Sequence, residues 1–553
     1  MAFTFSTYKP AAKYKQRVAY FSMEFALDQA LKTYSGGLGF LAGSHMRSAF
    51  DLKQNVVGVG ILWSFGYYDQ GRNEDQSLRV DYVQKQYSFL EDTGVVFPIT
   101  IHDAPVHVKA YVLRPETFGT APMVFLTTDL PENDYLSRTI SHHLYDADTA
   151  ARIAQSILLG VGGAEALERL GLTPDLYHLN EGHGLPLGFW LLHKHGGKKH
   201  DVAEVRKRLV FTTHTPELAG NEEHAVSLLQ KMTFFGKLPL KDAVQAVGTT
   251  PDGNLNYTLT ALRLSKAANA VSQVHGRVAN EMWGENAGIC PIIAITNSQN
   301  GPYWRDEALA AALAAGDDTA WQRRKRQLKE ELFREVANQT GTLLDPDKLT
   351  LVWARRFAGY KRADLIARDF ERFRALVESA DRPVQVIWAG KPYPKDYGAI
   401  SLFNELIRRS RQVKNCAVLT GYELGLSRLV KNGSDLWLNT PRYPREASGT
   451  SGMTAAMNGS VSVSIPDGWI PEFARDGHNC FLIPIANESL PTDRKDAIEA
   501  ANLLDVLEKT VVPMYYDRPA EFLSVRQQAQ RDVEPMFESA RMAREYYERL
   551  YSA

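Results

Sequence analysis

LTLVWARRFAGYKR, residues 349–362, passes from six uncharged, mostly apolar residues straight into a run carrying Arg355, Arg356, Lys361 and Arg362. An apolar run without alternation reads as a strand covered on both faces, which is the habit of parallel sheets flanked by helices. The same signature recurs in VVGVG (56–60), RLVFTTH (208–214), ANAVSQVH (268–275), IIAITN (292–297) and PVQVIWAG (383–390). Between these runs lie stretches with apolar residues three and four apart, such as 151–170 and 306–337, which predict helices. The fold class that follows is α/β, with doubly wound parallel sheets. Ligands bind such sheets beyond the carboxyl ends of the strands, where the strand order reverses. A basic cluster just past a buried strand therefore points to a phosphate-bearing ligand, with the guanidinium and ammonium groups matching its charge.

A chain of 553 residues is too long for one core. The clearest boundary follows Ile295, where TNSQNGPYW leaves a strand for a long Ala-, Arg- and Lys-rich helical stretch. The expected division is residues 1–300 as an N-terminal Rossmann-like domain, 301–525 as a C-terminal one facing it across a cleft, and 526–553 as helices returning to the N-terminal domain. Hydrophobic residues make up 44%, charged residues 23%, and the formal net charge is -1, so there is no global attraction to nucleic acid or anionic membranes. Cys290, Cys416 and Cys480 are too scattered for a disulfide framework or a clustered metal site. No metal, nucleic acid or membrane partner is expected. The first residues lack the apolar core of a signal peptide, and the expected location is the cytoplasm.

Three further segments carry chemistry. YSGGLGFLAGSHMRSAFDL (34–52) sets Gly36, Gly37 and Gly39 before a helix-compatible stretch, either as a tight turn or as a cradle whose amides meet an anion. PREASGTSGMTAAMNGSVSVSIPDGWIPE (444–472) places Glu446 before a Ser-Gly-Thr-Ser-Gly turn. That turn is either a capped loop or an oxyanion site built from the amides of Ser448, Gly449 and Thr450. HLNEGHG (178–184) and FTTHTPELAG (211–220) contribute His183 and His214 without the spacing of a zinc site.

Read together and in order, these segments resemble the α-glucan (glycogen) phosphorylase family, particularly its short bacterial and archaeal branch. VAYFSMEFAL, SQVHGRVANEMW, WAGKPYPKD and NTPRYPREASGTSGM extend the resemblance over most of the chain. The resemblance implies a GT-B fold and retaining transfer of glucosyl units between an α-1,4-glucan and phosphate. It implies that Arg355, Arg356 and Lys361 bind the reacting phosphate, with Gly36 and Gly37 approaching from the N-terminal side. It implies that His214 and Asn297 contact the transferred sugar and that Glu446, Ser448 and Gly449 bind its other hydroxyls. Thr450 then binds a second phosphate, and Tyr422 lines the same pocket. Of these, Arg356, Lys361, His214 and Glu446 are the catalytic candidates.

One departure bears on the mechanism. The family motif E-A-S-G-T-x-x-M-K ends in the lysine that holds pyridoxal phosphate as a Schiff base, whereas residues 446–454 read EASGTSGMT. A hydroxyl forms no imine, so Thr454 excludes covalent attachment there and no covalent cofactor is expected. Three functions follow. The leading expectation is a retaining hexosyltransferase that takes a nucleotide-sugar donor and passes glucose to a glucan or oligosaccharide acceptor. The alternatives are a glucan phosphorylase releasing glucose 1-phosphate with pyridoxal phosphate bound non-covalently or absent, and a non-catalytic glucan-binding relative. A homodimer is the only protein assembly entertained.

Overall fold

In the computed structural model, which describes Phe5 and residues 7–552, the chain forms two units. One comprises Met1–Tyr68, Tyr82–Asn297 and Ser539–Ala553; the other comprises Asp69–Asp81 and Ser298–Glu538.

The second unit contains the opening stretch of sequence. Its sheet has six parallel strands in the spatial order Cys416–Leu419, Val384–Ala389, Leu349–Ala354, Leu436–Asn439, Val461–Ser464 and Cys480–Leu482. Every residue of Leu349–Ala354 and Val384–Ala389 is buried, as the unalternating apolar runs require. The chain winds outward from Leu349–Ala354 through two strands, then returns to pair Leu436–Asn439 with the opposite edge of that first strand. The order therefore reverses between Ala354 and Asn439, and the basic cluster begins one residue beyond the first of them.

The helical stretch expected over 306–337 is two helices, Glu307–Ala315 and Asp318–Thr340. Gly316 breaks it by adopting a left-handed φ of 66°, and the Asp317 side chain then caps the next helix by accepting from the Ala320 amide. Asp69–Asp81, a two-stranded hairpin within the N-terminal third of the sequence, belongs to this unit for a polar and an apolar reason. Gln70 donates to the Gly390 carbonyl at 2.9 Å and accepts from the Gly421 amide at 2.8 Å, while Leu78 joins the core that also holds Leu406 and Ile407. The 1–300 span is thus interrupted.

The first unit has a nine-stranded sheet. Seven strands are parallel, in the order Ile292–Ala294, Ala267–Ala270, Leu209–Thr212, Leu176–Asn180, Val18–Phe21, Val56–Ile61 and Met123–Thr127. The antiparallel hairpin Glu91–Ile101 and Ala104–Leu113 extends it at the Met123–Thr127 side. Reversal of strand order falls between Val18–Phe21 and Leu176–Asn180. The strand expected over 268–275 stops at Ala270, because Ser272 caps the helix Gln273–Trp283 by accepting from the His275 amide. The helix read over 151–170 spans Thr149–Arg169, with a wider π turn at Leu158–Gly162.

At the carboxyl end, Pro519–Phe537 stays with the second unit, and the return to the first starts at Ser539 instead of 526. Met542, Tyr546, Leu550 and Tyr551 lie in the first unit's core, and the Tyr551 hydroxyl is 2.9 Å from Nδ1 of His178.

Candidate functional site

In the second unit the strand-order reversal assembles a buried charge cluster. Arg355, one residue beyond Ala354, donates from Nη1 to Oδ1 of Asn439 at the end of the neighbouring strand. Its Nη2 donates to Oε2 of Glu446 at 2.7 Å, and Lys361 Nζ lies 3.7 Å from Oε1 of the same carboxylate. Burial alone would raise the Glu446 pKa, but the charges of Arg355 and Lys361 outweigh it and hold the carboxyl below its usual value. For Lys361, burial dominates: with Arg355 nearby, and despite Glu446, its pKa falls to about 7. Nε of Arg355 is buried without a hydrogen-bond partner, so the guanidinium retains a donor for a ligand.

Backbone geometry aims Glu446. Its amide donates to Oδ2 of Asp467 at 2.9 Å, and Oδ1 of Asp467 accepts from Gly468 at 2.8 Å. Gly468 has φ of 62°, and a β-carbon there would overlap the Ser448 carbonyl. Gly449 has φ of 86°, and its missing β-carbon would sit 3.3 Å from Cγ of Glu446. The Ser448 hydroxyl is buried without a partner, pointing to an unmet acceptor or donor at the site. Thr450 precedes Ser451–Ala456, a helix of only six residues and therefore a weaker anion site than a long helix would provide. Tyr422 donates to the Ala354 carbonyl at 3.1 Å and accepts from Ser427 at 3.2 Å, bracing the strand end that presents Arg355.

Arg356, expected with Lys361 as a catalytic cation, is exposed, whereas Arg355 is buried in the cluster. Successive side chains at a strand end point to opposite sides, and here the first arginine turns inward. The Arg356 charge still acts on Lys361 and Glu446.

In the first unit the corresponding reversal gathers another set. Nε2 of His214 lies 2.7 Å from Oδ1 of Asn180, while Nδ2 of Asn180 donates to the Ser22 hydroxyl at 3.1 Å. With that amide orientation, the imidazole carries its proton on Nε2. Burial, with His275 and His183 nearby, lowers the His214 pKa to about 3. It is therefore a neutral hydrogen-bonding group at physiological pH. Glu181 was not singled out from the sequence. It holds the His214 amide at 2.8 Å and the Thr215 hydroxyl at 3.2 Å, with its own backbone at φ of 72°. A non-glycine residue in that region carries strain of the sort found at ligand sites. Oδ1 of Asn297 is buried without a partner, while its amide donates to the Val271 carbonyl at 3.0 Å.

The glycine-rich segment opens the 15-residue helix Gly37–Asp51, with Gly36 as its cap. The Gly36 amide is already engaged: it donates to Oε2 of Glu24 at 3.1 Å, as does the Ser35 amide at 2.6 Å, and Tyr145 donates to Oε1 at 2.8 Å. A carboxylate from this chain thus holds the position expected for a ligand anion. Side chains at Gly36 or Gly37 would meet open space, whereas one at Gly39 would come within 2.7 Å of Glu24 and Tyr34, and one at Gly43 would overlap the Ala26 carbonyl. The packing need for glycine lies at 39 and 43.

Thr454 is fully buried, and its hydroxyl donates to the Ser451 carbonyl at 3.0 Å. That side chain offers no amine, so the family's covalent pyridoxal phosphate attachment does not fit at this position. Among the described residues no group of three or more His, Cys, Asp or Glu side chains is placed to hold a metal ion, and no helix is long and apolar enough to cross a membrane. All three cysteines are buried as free thiols.

The family profile described as carbohydrate phosphorylase matches residues 308–504, a span that includes Arg355, Lys361, Glu446 and Asp467. An uncharacterized protein of Methanocaldococcus jannaschii is 46% identical, over 96% of this chain and 99% of its own length. The maltodextrin phosphorylase of Thermococcus litoralis is 33% identical, over 99% of this chain and 72% of that protein. The glycogen phosphorylase of Mycobacterium tuberculosis is 33% identical, over 97% and 70%. With similarity running through nearly all of its length and its charge cluster inside the matched span, the chain belongs to the carbohydrate phosphorylase family.

Proposed function

We propose that the protein transfers glucosyl units between an α-1,4-glucan and inorganic phosphate, releasing or consuming glucose 1-phosphate with retention at the anomeric carbon. The observation carrying this reading is the Arg355–Glu446–Lys361 cluster at the strand-order reversal. Its two cations are presently spent on one carboxylate. A phosphate dianion arriving there competes for both and gains the uncommitted Nε of Arg355. Preorganised cations that meet charge as it develops on the leaving group supply the largest single contribution to such a reaction. Glu446 then turns acceptor for sugar hydroxyls, with Ser448 beside it. His214, neutral in the first unit, moves no proton in this reading. The named phosphorylases among the relatives support phosphate as the co-substrate.

One observation favours a second reading. Thr454 removes the family's covalent cofactor while the cation cluster persists, which suits a nucleotide-sugar donor whose diphosphate needs no pyridoxal. The two readings separate in one assay. Incubation with maltodextrin and phosphate should release glucose 1-phosphate. If it does not, and ADP- or UDP-glucose is consumed with release of the nucleoside diphosphate, the second reading replaces the first. Failure of all these substrates, with glucan still bound, leaves the non-catalytic alternative.

A further inference from the structure

The hairpin strand Asp69–Arg72 turns one face onto the rest of the second unit, because residues two apart in a strand project to the same side. Gln70 reaches the Gly390 carbonyl and the Gly421 amide, and Nη2 of Arg72 donates to the Val418 carbonyl on the edge strand Cys416–Leu419. Beside that bond lies a cleft of about 440 Å³, a volume typical of small-molecule sites. Arg72, Arg411 and Lys414 give it charge, Thr342 and Ser410 give it hydroxyls, and Leu343 adds an apolar wall. Among the described residues that line it, none is a carboxylate.

The cations of this cleft are not spent on ion pairs of the fold. Arg408 and Arg409, in the last turn of the helix Tyr397–Ser410, both pair with Glu405. Arg411 caps that helix and Lys414 follows it, both exposed, and among the described residues neither side chain is ion-paired. Asp75 feels the Arg411 charge, but its Oδ1 accepts from the amide and hydroxyl of Ser77 at 2.9 and 2.6 Å. Glu378 accepts from the main-chain amide of Lys414 at 3.0 Å. Burial, and then the charge of Arg411, lower the Arg72 pKa, so the two guanidinium groups repel each other across the cleft. Like charges held around a concave wall raise the local concentration of anions, and guanidinium forks match phosphate oxygens in pairs.

The charge selects the ligand. Three cations exceed the charge of a single phosphate ester, about −1.5 to −2, and suit two linked phosphates. The cleft also has space beyond such a group, with Leu343 to cover an apolar face. We propose that this cleft is a second anion site of the chain, built for a diphosphate group carried by free pyrophosphate or by a nucleoside diphosphate.

The inference holds whichever sugar donor the Arg355–Glu446–Lys361 cluster takes, because it is read locally at Arg411. Full-length protein is treated with phenylglyoxal, and arginine modification is mapped by peptide mass in the presence of pyrophosphate, ADP, adenosine or sodium sulfate at one ionic strength. Pyrophosphate or ADP should slow modification of Arg411 saturably, by at least about tenfold, while adenosine and sulfate leave it unchanged. Equal protection by pyrophosphate and ADP assigns the diphosphate alone as the ligand; protection by ADP at lower concentration assigns the nucleoside diphosphate. In Lys414→Ala, whose side chain is exposed, the concentration for half protection of Arg411 should rise at least about tenfold. No protection of Arg411, protection by sulfate to the same degree, or an unchanged half-protection concentration in folded Lys414→Ala overturns the proposal. The wild-type map decides even if the variant fails to fold.

Discussion

Arg355 and Glu446 form a buried ion pair at 2.7 Å, each contributed by a loop that follows a different strand of one parallel sheet. Neither charge has bulk water to fall back on. Removing one partner of such a pair strands the other, at about 3–5 kcal/mol. Glu446→Gln should therefore lower unfolding free energy by several kcal/mol, measured by denaturant titration, and reduce glucosyl transfer at least about 100-fold. A variant with native stability and near-native transfer would remove Glu446 from the site.

Lys361 predicts a proton uptake. In the free protein its pKa is about 7, so at pH 8 it is largely neutral. A bound dianion favours the ammonium and raises that pKa, so binding should draw in up to one proton at pH 8 and fewer at pH 6. Apparent phosphate affinity accordingly weakens as pH rises above 7. Calorimetry of phosphate binding in buffers of different ionisation enthalpy measures the uptake, and Lys361→Met should abolish its buffer dependence.

His214 predicts an absence of titration. Since its pKa is about 3 and that of His183 about 4, both imidazoles stay neutral across the working range, and neither should place a limb on the kcat/KM profile between pH 5.5 and 8. His214→Ala should lower transfer without altering the shape of that profile. A wild-type limb near pH 6.5 that vanishes in the variant would show that His214 does titrate there.

The glycines of the first long helix should separate by role. Gly43→Ala drives a methyl group into the Ala26 carbonyl and should cost at least about 1–3 kcal/mol. Gly36→Ala and Gly37→Ala meet open space and should change stability by less than about 0.5 kcal/mol. Thermal melts of the three variants check the ranking.

Much of this architecture is legible in the chain, because strands buried on both faces leave unalternating apolar runs. LTLVWA and PVQVIWAG are strands at the expected places, paired in parallel from Leu349 with Val384 to Ala354 with Ala389. What stays hidden depends on distant partners. Asp69–Asp81 carries no local sign that Gly390 and Gly421 will claim Gln70. Asp467 and Asn439 acquire their roles only when strand order brings them to Glu446 and Arg355. Whether Arg355 or Arg356 turns inward is a matter of pleat phase, which a run of adjacent arginines does not encode. The Glu181 strain and the depressed His214 pKa arise from burial, and no spacing announces them.

The return of residues 539–551 to the first unit has a consequence for biosynthesis. The Tyr551 hydroxyl meets His178, and His178 in turn meets Thr212 at 2.6 Å, so the innermost polar chain of the earliest-made sheet closes on a tyrosine translated after the whole second unit. At ribosomal rates of about 5–20 residues per second, that sheet waits on the order of tens of seconds with its core incomplete. Nascent chains stalled before Ser539 should display protease-sensitive N-terminal segments that become resistant once the last helix is released.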